Sequence, residues 1–360
     1  MVRDLGTLPG FRDCQATMIN DRGQVVGWCI AGVVSHGFLW QHGKTTDLGP
    51  TQVFRGPAIN EHGLVLGTGS KGAFLWRDGR RIWLGPGTDA VAINDRGEVV
   101  GDRRTPSAES RAFLWQNGKL VDLGTLGGKS SNATAMNNRG QVVGYSTTAA
   151  GTQHAFLWAN GKMIDLGTLG GHVALAFGGV GKESFQPTDI NDRGQIVGLA
   201  HDPVGSYEVG WLWHDGRLVT LGDFNGEANE ARAVNEHGQV LVQTTPPSDK
   251  KGDGYLWQNG KLTRLPAFDD DTPATFAYAM NNHGQIAGNS LVEIGNNLSF
   301  VWEDGTMTPL RSLTGQETAP WSGVAPRGIN DRGEIVGSNY IGVHGQTELH
   351  VVLWTPQRSG

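Results

Sequence analysis

No run of about 18 or more apolar residues occurs in the 360-residue chain, so no segment reads as a membrane-spanning helix. Basic excess is also missing. The formal net charge is -6, whereas a nucleic-acid surface needs a basic face. Cysteine is scarce, with only Cys14 and Cys29 present, and two thiols make neither a zinc site nor a disulfide framework. They fall on segments read as adjacent antiparallel strands, near each other. A cross-strand disulfide and a pair of buried thiols are both open, and the want of a secretion signal favours the thiols. Sustained helical periodicity is lacking throughout. The chain has no Walker A loop, no His-Glu-x-x-His and no Gly-x-Ser-x-Gly. A nucleotide hydrolase, a zinc protease of that type and an α/β-hydrolase are thereby disfavoured. Gly67-Thr68-Gly69-Ser70-Lys71-Gly72 matches G-x-G-x-x-G by letter, but it leads into the apolar strand Ala73-Phe74-Leu75-Trp76. A dinucleotide site needs a helix there.

Repetition fills the space these absences leave. The tetrapeptide Asn20-Asp21-Arg22-Gly23 returns in altered form at Asn60, Asn94, Asn137, Asn191, Asn235, Asn281 and Asn330. Each copy is followed by an apolar-Trp tripeptide, such as Phe38-Leu39-Trp40 or Phe156-Leu157-Trp158. A period of about 35 to 55 residues signals a propeller, a solenoid or an array. In the fourth repeat, Ala133–Asn137, Gln141–Tyr145, His154–Trp158 and Lys162–Gly167 read as four short strands, rich in β-branched and aromatic residues and bounded by Gly and Asn. Asn-Gly or Asp-Gly between the third and fourth strands, as at Asn160-Gly161, favours a type I′ hairpin. The Asn-x-x-Gly between the first and second suits a type I turn closed by a left-handed Gly. Because the tetrapeptide recurs at every hairpin, with Glu, Asn or His substituted inside it, its role reads as structural. The repeated Trp reads in the same way, as a wedge between neighbouring sheets.

The eighth repeat ends at Trp354-Thr355-Pro356 without a fourth strand, and Val2–Gly6 supplies the missing one from the other end of the chain. A solenoid has no reason to split a repeat across its termini, whereas a ring closed in this way loses its open edge. The expected architecture is all-β: a single domain over residues 1–360, an eight-bladed β-propeller of four-stranded antiparallel blades. In it the N-terminal strand completes the last blade. The opening residues match the repeat and show no basic or apolar leader. A cytoplasmic protein is expected, or an exported one if a leader has been removed.

His154-Ala155-Phe156, Asn160-Gly161 and Asp165-Leu166-Gly167-Thr168-Leu169-Gly170-Gly171 together resemble the bacterial HAF repeat, and the likeness extends over essentially the whole chain. That family implies an extracellular repeat protein and brings no common activity with it.

Function must come from a site built on this scaffold. Connections between second and third strands, and between repeats, carry the variation. They include Asp102–Arg111, Leu199–Val209, Asn289–Leu298, Ser338–His350 and Gly167–Pro187. Variable loops on a rigid frame are where binding concentrates. Along the first strands, Asp189 replaces a residue that is small in most repeats. Arg232, Tyr278 and Arg327 stand one position further back, and Arg55, Asp89 and Glu230 further still. His172 and His201 fall in non-repeated loops, and Phe177 and Phe185 belong to an apolar insertion. Trp321 lies outside the repeated Trp position. Asp189, Glu230 and His172 are the candidate acid–base groups. Arg55, Asp89, Phe177, Phe185, His201, Arg232, Tyr278, Trp321 and Arg327 are the candidate ligand contacts. No metal and no cofactor is expected. The favoured function is binding of a small molecule, glycan or peptide by a monomer, with no nucleic-acid or membrane partner. The alternative is a cofactor-free lyase, cyclase or hydrolase, such as those of secondary metabolism.

Overall fold

The computed structural model describes residues 1–52, 56–167, 184–201, 208–222, 224, 227–245, 252–269, 274–293, 296–313, 325–343 and 346–356. Regular structure within them is entirely β-strand. Four-stranded antiparallel meanders follow one another along the chain, each strand pairing with the next in sequence. The fourth repeat is representative, with strands Gly127–Met136, Val142–Thr148, Gln153–Ala159 and Lys162–Gly167.

The chain divides into two compact units, Met1–Trp83 with Leu265–Gly360, and Leu84–Arg264. The first holds repeats one, two, seven and eight. Its eighth sheet is Ala325–Ile329, Ile335–Val343, Gln346–Trp354 and, from the start of the chain, Val2–Gly6. Val2 pairs with Trp354, Arg3 with Leu353 and Asp4 with Val352, all antiparallel. The terminal ammonium of Met1 donates to the Thr355 carbonyl at 2.8 Å. A single parallel bridge, Asp13 to Leu349, ties this sheet to the first repeat. The second unit holds repeats three to six, whose first strands are Thr88–Ile93, Gly127–Met136, Ser184–Ile190 and Ala228–Val234. These first strands touch one another in that order.

The turns carry the expected dihedrals. Asn160 at φ 52° is followed by Gly161 at φ 78°, and the pattern recurs at Asp78, Asn117, Asp215, Asn259 and Asp304. Two consecutive positive φ values are what a type I′ turn requires.

The repeated Asn has two tasks, and Asn137 shows both. Its Oδ1 accepts the N–H groups of Arg139 and Gln141, which holds the turn closed. Its Nδ2 donates to Gln141 Oε1 and, at 2.9 Å, to the Asn191 carbonyl in the next repeat. The second unit therefore runs a donor chain from Asn94 to Asn137, Asn191 and Asn235. The first unit runs one from Asn281 to Asn330, Asn20 and Asn60. The next residue is linked in parallel: Asp192 N–H donates to Glu236, and Asp331 N–H to Asp21. An acceptor is needed at this place in each repeat, which explains why only Asp, Glu and Asn occupy it.

Within each unit, repeated Trp residues pack back on the preceding sheet. Trp354 joins Ala287 and Leu310 of the seventh repeat, and Trp257 joins Val197, Leu212 and Leu221 of the fifth. The Trp354 indole N–H also donates to the Arg311 carbonyl at 2.7 Å.

Two expectations need correction. Cys14 and Cys29 are directly opposite in register, fully buried and joined as a disulfide, not held as thiols. The strand bulge lies between Ala16 and Met18, beyond the cysteines, so it does not offset them. Several stretches read as loops are strand. The described parts of Ser338–His350 lie in strands Ile335–Val343 and Gln346–Trp354, in which Asn339 pairs with His350 and Tyr340 with Leu349. Their Tyr, Ile, Val and Thr residues suit a pleated ladder.

Candidate functional site

In the second unit, the residue five places before each repeated Asn is Asp89, Asn132, Gln186 or Glu230. All four hold one register. They pair with Asp102, Tyr145, Leu199 and Gln243, each the third residue after the start of the conserved second-strand pairing. Each is half-buried between two buried neighbours, as Asn132 is between Ser131 and Ala133. Because the first strands touch in sequence, the four planar polar groups form one row. Asn132 Nδ2 donates to Ser110 Oγ at 2.9 Å. Glu230 accepts from Arg232 Nε at 3.3 Å, with both side chains about a third exposed (29% and 34%). A pair this wet adds little stability and leaves its polar atoms accessible.

Asp189 lies beside this row. Its Oδ1 accepts the Ile190 N–H at 2.8 Å, and its Oδ2 the Val234 N–H of the next repeat at 2.9 Å. The repeated Asn residues donate their own N–H inside the turn, Asn235 to Gln239 for example. Strand alternation therefore turns the N–H of the preceding residue, here Val234, away from the second strand. In the other repeats of this unit the Asp189 register holds Ala92, Ala135 or Ala233. Burial pushes the Asp189 carboxyl up to about 6; the two N–H bonds oppose that rise and the charge of Glu236 adds to it. Part of the side chain stays exposed, so burial acts through the dense protein around the carboxyl rather than by full enclosure.

The remaining candidates separate. In the first unit, the Arg327 guanidinium lies 5.7 Å from the centre of the Tyr278 ring, within cation–π range. His201 Nδ1 is 3.6 Å from Glu208, its direct cross-strand partner. Phe185, expected as a ligand contact, is 1% exposed and stacks on Trp211 at 5.1 Å. It belongs to the core, since its strand turns that face inward. Arg55, His172, Phe177 and Trp321 lie outside the described residues. Among the described residues no three His, Cys, Asp or Glu side chains are grouped to hold a metal ion. Asn132 and Gln186 were not singled out in the sequence, although they share the offset from the repeated Asn that marks Asp89 and Glu230.

The His of His-Ala-Phe is accounted for by packing. His154 Nδ1 meets the Asp165 carboxylate at 2.9 Å, and Asp165 also accepts the Gly167 N–H. His36 with Asp47 and His350 with Asp4 repeat the clasp. The sixth repeat swaps its ends: Asp253 takes the His position, and Arg264 reaches it at 2.8 Å. Burial raises the Asp253 carboxyl, against the pull of Arg264. A contact that recurs with its charges exchanged ties the third strand to the fourth.

An open depression of about 450 Å³ bounded by Gly10, Arg12, Asp13, Ile30, Ala31 and Gly32 lies in the first repeat. It contains none of the candidate residues.

No family model matches the chain, and no curated protein does. Solved structures do. The β-propeller domain of the Trilobed protease from Pyrococcus furiosus is 10% identical, with 96% of each chain covered and a TM-score of 0.52. An acylaminoacyl peptidase from Pyrococcus horikoshii is 12% identical over 94% of this chain, with a TM-score of 0.53. A puromycin-hydrolyzing peptidase of Mycobacterium tuberculosis is 11% identical over 92%, with a TM-score of 0.55. This chain spans 59% and 58% of those two peptidases. At such identities the likeness is one of fold, and the fold is a β-propeller.

Proposed function

We propose that the chain is a ligand-binding β-propeller, with eight blades in one ring over residues 1–360 and a site for a small molecule, glycan or peptide on its first strands and the connections beside them. Membership of the HAF-repeat family is part of this reading, supported by the His–Asp clasps behind its motif. Eight repeat copies and the last sheet's use of Val2–Gly6 support the ring. The observation that carries the binding reading is the row Asp89, Asn132, Gln186 and Glu230 at one register of four successive strands. Calorimetric titration with small molecules, oligosaccharides and peptides tests it: a ligand should bind, and Glu230→Ala should weaken it. Tight binding that is indifferent to every substitution in the row would sink the reading.

The disulfide supports an oxidising compartment for the working protein, which agrees with the extracellular character of HAF repeats.

A second reading, a cofactor-free enzyme, has Asp189 in its favour, since a carboxyl titrating at about 6 suits general acid–base work. Both of its oxygens, however, accept main-chain N–H groups, which suits a clasp between repeats. Turnover of any substrate that Asp189→Asn abolishes would restore the enzyme reading.

A further inference from the structure

We propose that the row in the second unit is a carbohydrate subsite that takes a neutral or amino sugar; this rests on the binding reading above. Asp, Asn, Gln and Glu each present two polar atoms in a plane, a spacing that matches two adjacent hydroxyls of a sugar ring. Four such groups stand at one register, Asp89, Asn132, Gln186 and Glu230, with Arg232 on Glu230. The row thus offers carboxylate acceptors, carboxamides that both donate and accept, and a guanidinium donor. Such a mixture suits a ligand whose every hydroxyl donates and accepts. Gln186 makes no side-chain hydrogen bond among the described residues and is half-buried.

An aromatic surface is present as well. Tyr145 is the direct cross-strand partner of Asn132, and partners in an antiparallel pair share a face. It is half-buried. An apolar ring beside planar polar groups suits a sugar, whose C–H face is apolar and whose rim is polar. The charges narrow the choice. Asp89, its cross-strand partner Asp102 and Glu230 outweigh Arg232 by two negative charges, which disfavours uronic or sialic acids and tolerates an amine.

The test is an array of short gluco-, manno-, galacto- and glucosamine-configured oligosaccharides, with uronic and sialylated ones beside them, probed with the full chain. Retention of neutral or amino sugars over acidic ones is expected. Gln186→Ala should weaken binding about tenfold, as expected for the loss of one or two good hydrogen bonds, with an unchanged melting midpoint. Tyr145→Leu should weaken it similarly. Asn132→Ala is less clean, because it also breaks the bond to Ser110. No retention of any neutral or amino sugar overturns the proposal, as does retention that Gln186→Ala and Glu230→Ala leave untouched. A parallel peptide and small-molecule panel separates the two readings. A non-sugar ligand lost in Glu230→Ala would overturn the sugar proposal and keep the binding site, whereas silence on both panels would remove both.

Discussion

Asn137 shows how much one side chain can carry. It is 4% exposed and makes four hydrogen bonds, one of them to the next repeat. Asn137→Ala leaves buried main-chain groups unpaired, each costing about 1–3 kcal/mol. A loss of roughly 3 kcal/mol or more is expected in denaturant unfolding. Asn137→Asp should also destabilise, because it keeps the acceptor but loses the donor to the Asn191 carbonyl. The sequence marks this Asn as structural, yet its second bond is not legible there: the acceptor lies 54 residues away. Asp189 gives a pH signature. A folded-state carboxyl raised from 3.8 to about 6 binds its proton more tightly folded than unfolded. Its stabilisation is complete below about pH 4 and gone above about pH 6, a swing on the order of 3 kcal/mol. Asp189→Ala should therefore remove a fall in melting midpoint between pH 4 and 6.5. A wild-type profile identical to the variant's would show that the carboxyl titrates normally. The substitution of Asp for Ala is plain in the sequence. The Val234 N–H that receives it is not, because only the strand register shows which way that group points.

Strands and hairpins were the most legible level. Asn-Gly and Asp-Gly fixed the tight turns because few other pairs reach two positive φ values. The hairpin ends were less legible. Asn339-Tyr340-Ile341 and Thr347-Glu348-Leu349 depart from the repeat pattern and so read as loop, although their chemistry is that of strand. Gly144 is a stricter element constraint. A Cβ there would overlap the Asn132 carbonyl oxygen and lie 2.9 Å from the Phe156 ring. Gly144→Ala is expected to cost about 1–3 kcal/mol by overpacking, read as a lowered melting midpoint. The first hairpin has its own staple. Cys14 and Cys29 are both 0% exposed and 15 residues apart. A loop of that size is stabilised by about 3 kcal/mol. Thiol alkylation read by mass spectrometry should find both cysteines unlabelled in denaturant alone and labelled once reductant is added with it. Labelling in denaturant without reductant would show free thiols.

At the scale of the whole molecule, the repeat count and the split last repeat are legible in the sequence, because both are periodic there. The row that forms the candidate site was half legible. Asp89 and Glu230 stand out by charge, while Asn132 and Gln186 hide among ordinary polar residues until the strand register aligns them. Phe185 misled for the opposite reason: composition gives its type but not its face. The split repeat can be tested directly. A chain lacking residues 2–6 should expose the edge of Gln346–Trp354 and self-associate, which light scattering on a sizing column would detect. A monomer with an unchanged melting midpoint would show that the strand is dispensable. The same pairing dictates an order of events on the ribosome. Val2–Gly6 is synthesised long before its partner Gln346–Trp354. At about 5 to 20 residues per second, the earlier strand waits on the order of tens of seconds for its mate. The nascent chain must keep that strand from other partners until Gln346–Trp354 emerges.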